Sequence, residues 1–238
     1  MQTDDRTGPV ALGDMLAEIE RDPKAWAARM AAQCREAHAD DPPAPVLSPE
    51  EVNARRLQAV GFGRRYCYPT WEKVFADGRE VLRAYAEDIG ARIAEGRGLM
   101  ILGGLGRGKT HALALLALAA CGKHDVAYIL APDLYDLLHR TDPEARAKAD
   151  YYREVDLLLL DDADRVYSGG EWAMARFDGF MEHRHANMRA TCVTVNDFGT
   201  LRDQPLLART LDRWRETMEL VRTQAPSQRI PLAGEAGR

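Results

Sequence analysis

With 238 residues the chain has room for one ordinary α/β core and an appendage of modest size. Charged residues make up 29% and the hydrophobic set 46%, which excludes a disordered chain, and the formal net charge of -5 excludes a protein that coats nucleic acid by bulk electrostatics. No apolar run is long enough to span a bilayer, the opening MQTDDRTGPV lacks the basic and apolar regions of a signal peptide, and Cys34, Cys67, Cys121 and Cys192 show no CxxC or His-paired spacing. A cytoplasmic protein with reduced thiols and no membrane partner is expected.

Apolar residues recur at helical spacing over 9–39, first Leu12, Met15, Leu16 and Ile19, then Trp26 and Met30. They predict two amphipathic helices with a break near Asp22-Pro23. The proline-rich DDPPAPVLSPEE follows and ends in a helix start at Ser48-Pro49-Glu50-Glu51. Residues 1–45 thus form either a small helical partner-binding module with its linker or a cap on the main domain, which occupies 46–238. Arg55, Arg56, Arg64 and Arg65 then gather beside Tyr66, Tyr68 and Trp71. That mixture suits single-stranded DNA, and it equally suits a solvated helix face followed by aromatics packed beneath a core.

From residue 69 onward strands and helices alternate. An amphipathic helix over about 77–95 leads into a strand at 99–102, and then comes GGLGRGKT. Gly103, Gly104, Leu105, Gly106, Arg107, Gly108, Lys109 and Thr110 make a Walker A phosphate cradle, placed between a strand and a helix as such a loop requires. Its glycines let the backbone turn and aim N–H groups at phosphate oxygens, Lys109 would reach the β- and γ-phosphates of ATP, and the Thr110 hydroxyl would ligate Mg2+. A helix over 109–121 stops at Gly122, VAYIL at 126–130 is the second strand, and a helix covers 132–140. The polar segment 141–153 could be a pore element or an ordinary surface loop, since it carries Arg146, Lys148, Tyr151, Tyr152 and Arg153.

Residues 156–162, DLLLLDD, form an apolar run tipped by two acids, the pattern of a central parallel strand covered on both faces. Asp161 would hold the Mg2+ through its water shell, and Asp162 would orient or deprotonate the attacking water. A helix over 171–187 precedes the strand ATCVTVND, whose terminal Asn196 is placed to sense the γ-phosphate or to end the strand in an Asn-Asp turn. A last helix at about 205–216 runs into a fifth strand, MELVR. The alternation predicts a parallel sheet between helical layers.

GGLGRGKTH, VDLLLLDDAD, FMEHRHANMRATCVTVND and LLARTLDRWRE together resemble the DnaC/IstB group of AAA+ ATPases, over about residues 59–229. That group comprises replicative-helicase loaders and the ATPase helper subunits of certain transposons. The resemblance implies a P-loop AAA+ fold with a five-stranded parallel sheet, and it extends the cradle to His111. It also implies an arginine finger at Arg213, with Arg209 one turn earlier as the substitute, and a second sensor at Arg229, where Gln228 replaces the group's usual aromatic. Asp162 stands where AAA+ proteins usually carry Glu, Val195 where a serine is common, and little chain follows Arg229, so no helical lid is expected. A site open on one side would be completed by a neighbouring copy, in a homo-oligomer or ATP-dependent helical assembly. The implied function is an ATP-hydrolysing helicase loader that engages a replicative DNA helicase and single-stranded DNA. The alternatives are a transposition helper that recruits a transposase, and a nucleotide-binding adaptor that does not hydrolyse ATP.

Overall fold

The computed structural model describes residues 20–37, 47–165, 170–202 and 207–227. The chain divides into two units at residues 46 and 47. In the first, helix α1 (Pro23–Ala37) begins where the break was expected. The Asp22 carboxylate accepts from the N–H groups of Lys24 and Ala25 at 3.1 and 3.0 Å, and Pro23 opens the helix where a missing N–H costs nothing. Residues 1–19, with most of the earlier of the two predicted helices, and residues 38–46, with the first part of the proline-rich linker, lie outside the described residues.

The second unit opens with α2 (Pro49–Val60), which carries a complete capping box. Ser48 Oγ accepts from the Glu51 N–H at 3.2 Å, and the Glu51 carboxylate accepts from the Ser48 N–H at 2.7 Å. Three 3-10 turns over 64–78 lead into α3 (Arg79–Glu87) and α4 (Ile89–Ala94). Sequence predicts one helix here, with a stripe of Val81, Leu82, Tyr85, Ile89 and Ile93; Asp88, at φ -102 and ψ 15, leaves the helical region and breaks it in two, and Leu82, Tyr85, Ile89 and Ile93 are buried while Val81 is exposed.

The remaining elements alternate: β1 (Gly98–Leu102), α5 (Lys109–Ala120), β2 (Val126–Leu130), α6 (Ala131–His139), α7 (Pro143–Glu154), β3 (Leu157–Asp161), α8 (Gly170–Ala186), β4 (Ala190–Val195), α9 (Phe198–Arg202), α10 (Ala208–Thr217) and β5 (Met218–Arg222). The segment over 141–153 is therefore mostly helix, capped by Asp142, which accepts from the Ala145 N–H at 2.9 Å. Helix α9, only five residues long, has no counterpart in the sequence reading. Gly122, at φ 89, follows α5 as expected.

All five strands are parallel, in the order β2-β3-β4-β1-β5. Side chains along each strand alternate between two cores. Leu158, Leu160, Met100 and Val193 meet α6, α7, α8 and α10 on one face, and Leu157, Leu159, Leu99 and Ile101 meet α2 to α5 on the other. Burial on both faces is why β3 reads as an unbroken apolar run rather than an alternation. Helix α5 is mostly inside, with Ala112, Leu113, Ala114, Leu116, Ala117 and Ala120 buried and Leu115 and Leu118 half-buried, which is why it reads as nearly all apolar. The β3-β4-β1 order brings the carboxyl ends of these three strands side by side, where open α/β sheets gather their ligands.

Between the last turns of α7 and α8 sits Arg184, 1% exposed. Its guanidinium donates to the carbonyls of Tyr152, Arg153, Val155 and Ala190 and to the Thr191 hydroxyl. Burial pushes its pKa down to about 9, and the carbonyl dipoles at the end of α7 supply the negative potential that keeps it in place.

Candidate functional site

The cradle lies at the carboxyl end of β1. Gly103 N–H donates to the Val195 carbonyl at 3.0 Å, which ties the loop's first residue to β4. Gly108 has φ 86, and a Cβ there would stand 2.0 Å from the Lys73 carbonyl, so both conformation and space demand glycine. Leu105 is exposed at the loop tip, and the Arg107 guanidinium donates to the Thr223 carbonyl at 2.6 Å beyond β5. Lys109, 6% exposed, begins α5 and turns its ammonium back into the loop. Its Nζ donates to the carbonyls of Gly103 and Gly104 at 2.6 and 2.9 Å and to Asn196 Oδ1 at 2.8 Å. Burial lowers its pKa, against the opposing pull of Asp162, Asp161 and Asp164.

Asp161 ends β3 and is 4% exposed. Three hydroxyls converge on its carboxylate. Thr110 donates to Oδ2 at 2.8 Å, Tyr128 donates to the same oxygen at 3.0 Å, and Thr194 donates to Oδ1. Burial still raises its pKa above the ordinary carboxylate value, because three neutral donors offset less than desolvation costs. The donor set suits Mg2+: a hydroxyl and a carboxylate, both hard oxygen ligands, stand at hydrogen-bond distance beside the loop lysine.

Asp162, one residue on, has φ 57. This left-handed backbone is tolerated by Asp and Asn far better than by longer side chains, which gives a local reason for an acid one methylene shorter than the usual Glu. Its N–H donates to Thr194 Oγ1 at 2.9 Å, and its Oδ1 accepts from Asn196 Nδ2 at 3.0 Å. Asn196 also donates from Nδ2 and from its backbone N–H to Asp164 Oδ1, at 3.2 and 3.0 Å. The amide thus bridges Lys109 on one side to two acids on the other.

A cavity of about 910 Å3 opens over these groups, lined by the loop from Leu105 to His111, by Asp161, Asp162 and Asn196, and by Arg65, Tyr66 and Lys73 on one wall and Lys148 and Tyr152 on another. The Tyr66 ring meets His111 edge-on at 5.3 Å, and burial, with Lys73 and Arg65 nearby, lowers the His111 pKa. Tyr128, Thr194 and Asp164 are members of the cluster that the sequence reading passed over. VDLLLLDDAD contains Asp164 in plain view, whereas Tyr128 and Thr194 join only because β2 and β4 flank β3.

Arg213 lies elsewhere. On α10, it is 17% exposed and pairs with Asp178 at 3.0 Å and with Glu182, both on α8. Arg209, one turn earlier, is exposed. Arg229 lies outside the described residues. Of the arginine-aromatic stretch, Arg55, Arg56, Arg64 and Arg65 are exposed with Tyr68, while Tyr66 packs on the α2–α5 core and Trp71 packs there beneath Arg83 at 5.3 Å.

No protein-family model and no curated protein matches the sequence. Solved structures do. The crystal structure of DnaI aligns with a TM-score of 0.58 at 24% identity, covering 73% of this chain and all (100%) of that one. The DnaC helicase loader aligns at 0.52 and 21%, covering 68% and 100%. The fold is that of the AAA+ P-loop ATPases. A replication initiator, DnaA bound to AMPPCP and single-stranded DNA, shares this AAA+ fold at a TM-score of 0.56 and 22% identity, over 70% of this chain and 52% of that one. The chain therefore spans about half the length of that DnaA protein. Among the described residues no helix is long and apolar enough to cross a membrane.

Proposed function

We propose that the protein binds Mg2+-ATP in this cavity and hydrolyses it as a replicative-helicase loader, acting on single-stranded DNA. The observation that carries the nucleotide reading is the convergence of Lys109, Thr110, Asp161, Asp162 and Asn196 beneath one cavity. Loop N–H groups and the amino end of α5 would hold the phosphates, and Lys109 would exchange its carbonyl acceptors for phosphate oxygens. Thr110 and Asp161 would hold the Mg2+, which when bound draws negative charge off the β- and γ-phosphates. Asp162 and Asn196, already hydrogen-bonded to each other, would fix the attacking water between them, with Asp162 accepting its proton. Fold similarity to a helicase loader and to an initiator bound to single-stranded DNA favours replication as the setting over transposition.

A guanidinium from a neighbouring copy would complete the site and make hydrolysis depend on assembly. Arg213 and Arg209 remain the two candidates, and exposure favours Arg209. Residues 1–45 would grip the helicase and 46–238 would form the ATPase.

The test is ATP hydrolysis by the purified chain with and without single-stranded DNA, beside Lys109→Ala. DNA-stimulated phosphate release that Lys109→Ala abolishes is expected, and ATP binding without release under any condition would overturn the hydrolytic role. Deleting 1–45 should abolish capture of a replicative helicase and spare ATP binding; a truncated chain that still captures helicase would overturn the loader role.

A further inference from the structure

Tyr128 joins two walls of the cavity that are far apart in sequence. Its ring stacks on Phe62, with centroids 4.0 Å apart and planes 24° from parallel, and Phe62 follows directly on α2, in the turn whose Gly61 and Gly63 line the cavity. The turn is seated tightly on the strand: a Cβ at Gly61 would stand 2.6 Å from the Tyr128 carbonyl. At the far end of the same side chain, the hydroxyl reaches Asp161 Oδ2, the oxygen that Thr110 also engages. Tyr128 as a whole residue is 8% exposed and its stacking partner Phe62 3%.

A carboxylate turns freely about its last torsion unless its oxygens are held. Asp161 is held at both, by Thr194 on Oδ1 and by Thr110 and Tyr128 on Oδ2. A Thr110 hydroxyl that ligates a metal ion through a lone pair can keep its O–H on Asp161. Tyr128 is the second donor to Oδ2, and its hold does not depend on how Thr110 turns toward the metal. We propose that Tyr128 is a positioning residue for the metal-binding carboxylate, and that its stack on Phe62 makes metal binding answer to the position of the 61–66 turn. It donates a hydrogen bond and touches neither metal nor phosphate. This role rests on the reading of the cavity as a Mg2+-nucleotide site.

The test uses the full chain, a fluorescent ATP analogue and a Mg2+ titration. Tyr128→Phe keeps the stack and removes only the hydroxyl. It is expected to bind the analogue in EDTA as wild type does and to melt close to wild type, but to need about ten-fold more Mg2+ for half-maximal metal-dependent binding, the lower end of the usual loss when a ligand's hydrogen-bond partner is removed. Phe62→Leu, which keeps the hydroxyl and loosens the ring, should shift the Mg2+ midpoint in the same direction by less. A Tyr128→Phe midpoint equal to wild type, in protein that still binds the analogue, would overturn the role of Tyr128 alone. Wild-type protein that binds no analogue with or without Mg2+ would overturn the nucleotide site and the role of Tyr128 together.

Discussion

Replacing Thr194 by Val swaps a hydroxyl for a methyl at a position with no exposed surface, so shape is kept and only two hydrogen bonds change. One is the bond Thr194 donates to the Asp161 carboxylate; the other is the bond it accepts from the Asp162 N–H at 2.9 Å. Losing a donor to a carboxylate costs about 1.5–3 kcal/mol, and stranding a buried N–H costs about 1–3 kcal/mol. Thr110 and Tyr128 still solvate Asp161, so the lower half of the combined range applies, about 3 kcal/mol. For a domain of this size each kcal/mol lowers the melting temperature by about 2–4 °C, which gives a fall of about 6–12 °C. Thermal unfolding followed by circular dichroism at neutral pH, without nucleotide, measures it, and Thr194→Ser should restore most of the loss. A Thr194→Val protein that melts within about 2 °C of wild type would refute the reasoning, because the hydroxyl would then not be holding the β3 and β4 tips together.

Asp161→Asn removes a buried charge whose pKa burial raises above 3.8. A raised acid favours the native state while protonated and costs stability as pH climbs through its raised pKa, so without ligand this variant should melt at or above wild type at pH 7, with the difference shrinking as pH falls through that raised pKa and gone below about pH 4. It should also lose any stabilisation by Mg2+ with nucleotide, which the same melts would show. Asp162→Asn keeps the left-handed backbone and the Asn196 contact within reach, and should retain nucleotide binding while phosphate release falls by about 100-fold or more, read in a steady-state assay. Arg213→Ala breaks the pairs to Asp178 and Glu182 and should lower the melting temperature by about 4–8 °C, from a loss of about 2 kcal/mol, whereas Arg209→Ala should leave it unchanged. Whichever variant abolishes ATPase activity, assayed at a temperature well below its own melting point, carries the finger.

The sequence by itself determined the strands, the cradle and the acid-tipped β3, because each is written in local chemistry: glycines before a Lys-Thr pair, a doubly buried apolar run, an Asn at a strand end. It also marked Asp162 as a departure, but the cause, a left-handed backbone at φ 57, is a property of the folded turn. Asp88 broke a helix whose apolar stripe reads as continuous, since the stripe reports which face is buried and not where the backbone bends. Strand order was decided only by the tertiary structure. Placing β3 between β2 and β4 sets Tyr128 and Thr194 against Asp161 across 33 residues on either side, contacts that no window of sequence contains. The same holds for Arg213, whose helix face carries no record of the two acids on α8 that hold it. Local periodicity fixes what a segment becomes, while the hydrogen bonds that tune a site are made between segments that only packing brings together.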